Sequence, residues 1–199
     1  MTATDEQLLV RMQDGDEDAF GCIYKRYASS MKNFARYMGV PSGSTEDIAQ
    51  DVFLALIHHA SRFDPERGSV ISFLYGIARN RILRWLRDHS RELLSLSDQD
   101  QAELQSQNPL MHYTKEQQIN RLHRAILGLP EHYREVVILC ELQELSYEKA
   151  AEAVGCAVGT VRSRLHRARE ILSRRLQNAS EDEKEVNDYE LSTLETGSL

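Results

Sequence analysis

The stretch LSYEKAAEAVGCAVGTVRSRLHRAREIL, residues 145–172, decides the fold of the C-terminal half of this 199-residue chain. Ser146 is a good N-cap for a first helix, and Gly155 can adopt the left-handed conformation that a tight turn requires. A second helix is predicted from about Val158, because its apolar residues recur every three or four positions. This apolar stripe comprises Val161, Leu165, Ala168 and Leu172. The pattern predicts a helix-turn-helix.

The remaining faces of the second helix are strongly basic. Glu170 is the one acid among its four arginines and one histidine, and such a cluster repels itself unless a polyanion is near. In a helix-turn-helix the second helix enters the DNA major groove, with its N-terminal residues at base edges and its basic side chains at phosphates. We therefore predict DNA contacts by Thr160, Arg162, Ser163, Arg164, His166, Arg167 and Arg169.

Helical periodicity extends back from this motif and predicts a four-helix C-terminal domain over residues 114–177. Breaks at residues 128–130, 144–146 and 155–157 separate its helices. The helix that Pro130 opens carries one apolar face, which we expect to pack under the helix-turn-helix. That face comprises Tyr133, Val136, Val137 and Cys140.

Polar segments flank this domain on both sides. Residues 92–113 are rich in Ser, Gln and Asp and lack periodicity, which predicts a flexible linker. Residues 178–199 are predicted to form an acidic disordered tail. Seven acids and one lysine give residues 181–199 a charge of −6, out of −7 for the whole chain. The rest of the chain is therefore nearly neutral, and its basic residues cluster in two places, as expected for local phosphate contacts.

Residues 5–91 are predicted to form a second helical domain, with breaks at residues 39–44 and 64–69. Within it, STEDIAQDVFLALIHHASRF, residues 44–63, reads as an amphipathic helix. Its buried stripe is predicted to be Ile48, Val52, Phe53 and Leu56. A different face carries Asp47, Gln50, Asp51 and Leu54, which would suit a basic helical partner. Considered alone, a charged stripe of this kind is more often a solvated surface.

The following helix, SFLYGIARNRILRWLRDHSR, residues 72–91, combines aromatic and basic residues. Phe73, Leu74, Ile77, Ile82 and Leu86 are available for a core. Stacking rings beside cations suit single-stranded nucleic acid, although arginines near a helix C-terminus also stabilise the helix dipole. The candidate contacts on this helix are Tyr75, Arg79, Asn80, Arg84, Trp85 and Arg87.

Three of these segments resemble one protein family, the extracytoplasmic-function (ECF) sigma factors of bacterial RNA polymerase. LPEHYREVVIL with the helix-turn-helix is similar to the family's minus-thirty-five binding domain, and EDIAQDVFL to its segment that binds the polymerase clamp. FLYGIARN is similar to the family's minus-ten recognition and melting segment. The loop of residues 64–69 lies where the family captures a flipped base, and the resemblance therefore implies minus-ten contacts by Asp64 and Arg67 as well. Phe73 stands where the family usually has Trp, Gly76 replaces a larger residue, and Ala157 replaces a capping residue.

The resemblance implies two small all-α bundles joined by a flexible linker. Its implied partners are core RNA polymerase, promoter DNA as duplex and as melted strand, and an anti-sigma factor. Asp47, Gln50, Asp51 and Leu54 become polymerase contacts on this interpretation. No catalytic residue, metal or cofactor is implied, and the protein is expected to work in the cytoplasm without membrane insertion.

Three other interpretations account for less of the sequence. A conventional helix-turn-helix repressor or activator explains residues 145–172 equally well but leaves the two N-terminal motifs unexplained. An enzyme is disfavoured because no P-loop, nucleophile elbow or dinucleotide loop occurs. A metal site built from Cys140, Cys156 and His166 lacks closely spaced ligand pairs, and we expect all three cysteines, Cys22 included, to be small buried core residues.

Overall fold

The computed structural model describes the backbone of residues 3–90 and 115–196 and the side chains of residues 3–90 and 118–177. Within these ranges the regular structure is helical throughout, which confirms the predicted all-α class. The N-terminal domain contains α1 (Asp5–Gln13), α2 (Glu17–Met38), α3 (Thr45–His59) and α4 (Val70–Asp88). The C-terminal domain contains α5 (Lys115–Leu127), α6 (Glu131–Val137), α7 (Tyr147–Val154) and α8 (Val158–Thr196). One π-helical turn, Ile138–Leu142, follows α6 directly.

Short polar side chains begin the N-terminal helices, and a glycine ends the longest of them. Asp16 caps α2 by accepting a hydrogen bond from the Ala19 amide at 3.1 Å. Gly39 ends α2 in the left-handed conformation, with φ of 111°. Ser69 caps α4 by accepting from the Ser72 amide at 3.3 Å. The loop of residues 64–69 therefore leads directly into the N-terminus of α4, where the helix dipole favours anions.

The core of the N-terminal domain forms where the apolar faces of α2, α3 and α4 meet. The predicted stripe of α3 is buried, as the periodicity indicates, since Ile48, Val52, Phe53 and Leu56 are all at most 3% exposed. Phe34 of α2 packs edge-on against the ring of Tyr75 of α4, with ring centroids 5.3 Å apart. This packing fixes which faces of α3 and α4 remain at the surface.

The helix-turn-helix forms as predicted. Ser146 caps α7 by accepting from the Lys149 amide at 3.3 Å, and Gly155 ends the helix at φ of 73°. Val161, Leu165 and Ala168 bury the inner face of α8 at 0–1% exposure. The opposite face of α8 points away from the domain.

The two domains pack against each other, which the prediction of two bundles on a flexible linker did not include. Helix α4 lies against α7, and α2 lies against α5 and α6. Buried apolar residues of both domains form one continuous cluster. The predicted linker, residues 92–113, lies outside the described residues.

Two further expectations differ from the structure. The backbone of α8 is helical through Thr196, across most of the segment predicted to be a disordered tail. Residues 178–196 contain neither proline nor glycine and are rich in Glu, which favours helix. Cys22 is exposed, so the prediction that it lies in the core is wrong, whereas Cys140 and Cys156 are half-buried. No helix in the described part of the chain is long and apolar enough to cross a membrane.

Candidate nucleic-acid and polymerase interfaces

The outward face of α8 presents most of the residues predicted to contact DNA. Five of them are exposed: Arg162, Ser163, His166, Arg167 and Arg169. Thr160 and Arg164 are half-buried beside them. We call this basic surface the α8 face. It begins in the first turn of α8, so the helix can enter a DNA groove with its N-terminal end first.

Three contacts organise the side chains of the α8 face. The Arg162 guanidinium lies over the Tyr147 ring, 5.9 Å from its centroid. Arg169 donates to the carboxylate of Glu141, and this hydrogen bond is the main reason that the pKa of Arg169 is raised. His166 lies 3.6 Å from Glu170 one turn later. The sequence analysis does not identify Glu141, because this residue precedes the helix-turn-helix motif and lies next to α8 only in the folded chain.

One face of α3 combines acidic, amide and apolar side chains at the surface. Asp47, Gln50 and Asp51 are exposed, and Leu54 is 55% exposed. Ile57, three residues later and 45% exposed, extends the apolar part of this surface. The sequence reasoning did not include Ile57, although its i+3 spacing from Leu54 could have identified it. We call this surface the α3 patch.

A cavity of about 560 Å³ lies between the loop of residues 64–69, the start of α4 and residues 152–155 at the end of α7. Arg62, Asp64 and Arg67 supply charges at its wall, and all three are exposed. The rings of Phe63 and Phe73 also line it, with centroids 5.7 Å apart. A cavity with aromatic walls and cations at its edge has the chemistry to hold an unstacked base and its phosphate.

Helix α4 carries further predicted DNA contacts on its exposed side. We call this side of α4, together with the loop of residues 64–69, the α4 surface. Asn80, Arg84 and Arg87 are exposed. Trp85 is half-buried and stacks on His89, with ring centroids 4.2 Å apart and planes 13° apart. These positions leave polar and cationic groups available along the helix.

Tyr75, predicted from the sequence to contact DNA, is buried in this structure. It is 1% exposed, its ring packs on Phe34, and its hydroxyl donates to Oε1 of Gln143 at 2.7 Å. Burial raises the pKa of this hydroxyl above its usual value. In this arrangement the ring therefore belongs to the core and is covered from solvent.

Arg79, another predicted DNA contact, is held by an acid of the C-terminal domain. Its Nε and Nη2 donate to the two carboxylate oxygens of Glu135 at 2.9 and 3.0 Å. Glu135 is fully buried, at 0% exposure. The hydrogen bond to Glu135 is the main reason that the pKa of Arg79 is raised. The sequence analysis does not identify Glu135, because nothing in the sequence pairs it with a residue 56 positions away.

The described side chains offer no group of three His, Cys, Asp or Glu residues that could hold a metal ion. Burial raises the pKa of the Cys140 thiol to about 11, so the thiol stays protonated near neutral pH. A protonated thiol is a poor metal ligand and a poor nucleophile.

Two family models match this chain, one in each domain. The model for Sigma-70 region 2 matches residues 23–92, and the model for Sigma-70 region 4 matches residues 119–172. The first match includes the α3 patch and the α4 surface, and the second includes the helix-turn-helix. The two matches occur in the order of the two domains.

Known proteins resemble the chain over nearly its whole length. The ECF RNA polymerase sigma-E factor of Escherichia coli strain K12 is 34% identical over 185 residues, covering 87% of this chain and 95% of the relative. The RNA polymerase sigma factor NccH of Alcaligenes xylosoxydans xylosoxydans is 31% identical, covering 89% and 97%.

Two solved structures share the fold at 26% sequence identity. CnrH in complex with the cytosolic domain of CnrY has a TM-score of 0.68 and covers 87% of this chain and 97% of its own. The sigma factor RpoE in complex with the anti-sigma factor NepR from Bartonella quintana has a TM-score of 0.61, with 79% and 96% covered.

Proposed function

This chain belongs to the ECF sigma factors of RNA polymerase. We propose that it directs promoter-specific initiation through three separate binding surfaces. The α3 patch binds core polymerase, the α4 surface binds the minus-ten element and its melted strand, and the α8 face binds the minus-thirty-five element. The observation that carries this proposal is the separation of the acidic and apolar α3 patch from the two basic surfaces on α4 and α8.

Core binding by the α3 patch is supported by its chemistry. Leu54 and Ile57 supply exposed apolar area, and Asp47 and Asp51 flank it with negative charge. A partner helix with basic residues around an apolar centre would bury the leucine and pair with the acids. Such charges steer association and fix orientation more than they add affinity.

The two basic surfaces are suited to different forms of DNA. The α8 face has a helix N-terminus and arginines with little aromatic area, which suits the major groove of a duplex. The α4 surface has aromatic side chains beside its arginines, which suits an unpaired strand. Polymerase would hold both near one promoter, so that binding at one element raises the effective concentration at the other.

Control by an anti-sigma factor is part of the proposal. Two structures of similar fold are complexes, CnrH with the cytosolic domain of CnrY and RpoE with the anti-sigma factor NepR. We place the protein in the cytoplasm, where polymerase and promoters are found. A conventional helix-turn-helix regulator would leave the α3 patch without a role.

Transcription in vitro tests the proposed function. Fragmented genomic DNA of the source bacterium is transcribed by core polymerase with and without the purified chain, and RNA 5′ ends are sequenced. The proposal predicts a set of starts that requires the chain and shares two upstream elements near minus ten and minus thirty-five. Absence of chain-dependent starts, with a known sigma factor active in parallel, would contradict it.

A further inference from the structure

Two arginines of the α8 face are held by side chains that lie outside α8. The Arg162 guanidinium lies over the Tyr147 ring, 5.9 Å from its centroid, and Arg169 donates to the carboxylate of Glu141. Residues seven positions apart on a helix lie about 20° apart around it and about 10 Å apart along it. The two arginines therefore point the same way and mark the two ends of the α8 face.

Arg162 lies at the end of the α8 face that is proposed to reach base edges. Cation–π contacts extend to about 6 Å from the ring centroid, so the Tyr147 ring restricts where this guanidinium can lie. Tyr147 is half-buried at the first position of α7 and packs on the core. The pKa of the Glu148 carboxyl is lowered mainly by a hydrogen bond from its own amide, and the charge of Arg162 adds to this lowering. Arg162 therefore lies against the first turn of α7.

Glu141 reaches Arg169 from the π-helical turn that follows α6. In this turn the Gln143 amide donates to the Ile138 carbonyl, five residues earlier, at 2.9 Å. A π turn is wider than an α-helical turn, which changes the direction in which side chains leave the helix, and such turns are frequent at functional sites. The side chains of Glu141 and Arg169 are 42% and 57% exposed. The pair is therefore open to a DNA backbone, and the guanidinium has further N–H donors for a phosphate.

We infer that Tyr147 and Glu141 are positioning residues for promoter recognition, because they hold the arginines at the two ends of the α8 face in the orientation that meets DNA. This inference rests on the proposed function of the α8 face. Neither residue needs to touch a base. Ordering a side chain with many rotamers opposes association, and a side chain that is already ordered avoids this penalty.

The Tyr147 contact should affect discrimination between sequences more than total affinity. Attraction to phosphates persists when Arg162 moves freely, because the positive charge is still present. Hydrogen bonds to base edges depend on the direction of the guanidinium, so they weaken when the ring no longer supports it. Loss of ordering for one arginine should lower affinity for the preferred sequence about 2- to 12-fold, with little change for unrelated sequence.

The Glu141 contact separates positioning from simple charge repulsion. An acid that only repels phosphates would, once neutralised, raise affinity equally for every sequence. An acid that orients Arg169 helps to fix the register of the helix on the phosphates, so its neutralisation should lower the ratio of preferred to unrelated affinity. Glu144→Gln is the charge control, because Glu144 is an exposed acid three residues after Glu141.

The test measures which DNA sequences the holoenzyme selects. Core polymerase with the full-length chain is mixed with duplexes of one promoter identified by chain-dependent transcription, randomised at the minus-thirty-five element. Sequencing of bound and unbound DNA gives the base preference at each position, and a library randomised at the minus-ten element is the internal control. The variants are Tyr147→Leu, which removes the aromatic ring, Tyr147→Phe, which keeps it, Glu141→Gln and Glu144→Gln. Urea unfolding of each chain reports its stability.

We expect Tyr147→Leu and Glu141→Gln each to lower the ratio of preferred to unrelated minus-thirty-five binding about 2- to 12-fold. Tyr147→Phe and Glu144→Gln should keep the wild-type ratio, and preference at the minus-ten element should not change in any variant. A wild-type ratio in Glu141→Gln, or an equal fall in Glu144→Gln, would overturn the role of Glu141. A wild-type ratio in Tyr147→Leu, or an equal fall in Tyr147→Phe, would overturn the role of the Tyr147 ring. If Tyr147→Leu does not fold, Glu141→Gln decides the outcome, since Glu141 is exposed.

The same holoenzymes separate this inference from the proposed function. If the wild-type holoenzyme selects a minus-thirty-five sequence and all variants select it equally well, only the inference fails. If the wild-type holoenzyme selects no sequence at either element, the proposed function fails, whatever the variants do.

Discussion

Replacing Leu54 with alanine should weaken binding to core polymerase without destabilising the fold. Full burial of a leucine side chain stabilises by about 1.5–3 kcal/mol. Leu54 is 55% exposed, so a partner can cover about half of it, and its removal should cost about 1–1.5 kcal/mol of binding free energy. This corresponds to a Kd about 5- to 12-fold higher. Stability should change little, because the exposed side chain adds little to the core.

Val10 provides the matched control for this variant. It is an apolar residue of α1 with 57% exposure, and it lies outside the α3 patch. Titration of labelled Leu54→Ala, Val10→Ala and wild-type chain with core polymerase gives the three dissociation constants, and urea unfolding gives their stabilities. Wild-type affinity for Leu54→Ala, or an equal loss for Val10→Ala, would refute the assignment of the α3 patch.

Three further predictions concern the C-terminal half. Arg162→Ala and Arg167→Ala should each lower transcription from the chain's promoters. Each lost phosphate contact should also reduce the slope of log binding constant against log salt concentration for the holoenzyme by about one unit. Wild-type promoter use by both variants would show that the α8 face does not bind the promoter. Ser146→Ala should lower the free energy of unfolding by about 1 kcal/mol through loss of the α7 cap, measured by urea denaturation. Deletion of residues 181–199, which carry a charge of −6, should raise DNA affinity because it removes negative charge that repels phosphates; an unchanged affinity would exclude that electrostatic effect.

Local patterns were enough to predict the helices and their inner faces. Ser146 and Gly155 set the limits of α7 through a cap and a left-handed turn, both of which depend on neighbouring backbone alone. The stripe from Ile48 to Leu56 was predictable for the same reason, since helical periodicity determines which side chains share a face. The exposed positions of Asp47 and Leu54 follow from that same geometry.

Contacts between distant elements were not predictable from one sequence. The pair Arg79 and Glu135 joins two domains, and each residue alone resembles an ordinary charged position on a helix. The sequence predicts Tyr75 as a DNA contact because aromatic residues next to arginines suit that role, and the structure shows its ring packed on Phe34. Aromatic side chains fit a core and a stacking surface equally well, so only tertiary structure decides between them.

The most direct test of the account compares DNA binding by the chain alone, by core polymerase alone and by the two together. The DNA is one promoter identified by chain-dependent transcription, and footprinting reports protection of each element. We expect joint protection of the minus-ten and minus-thirty-five elements only when both proteins are present. Equal protection of both elements by the chain in the absence of polymerase would contradict the account.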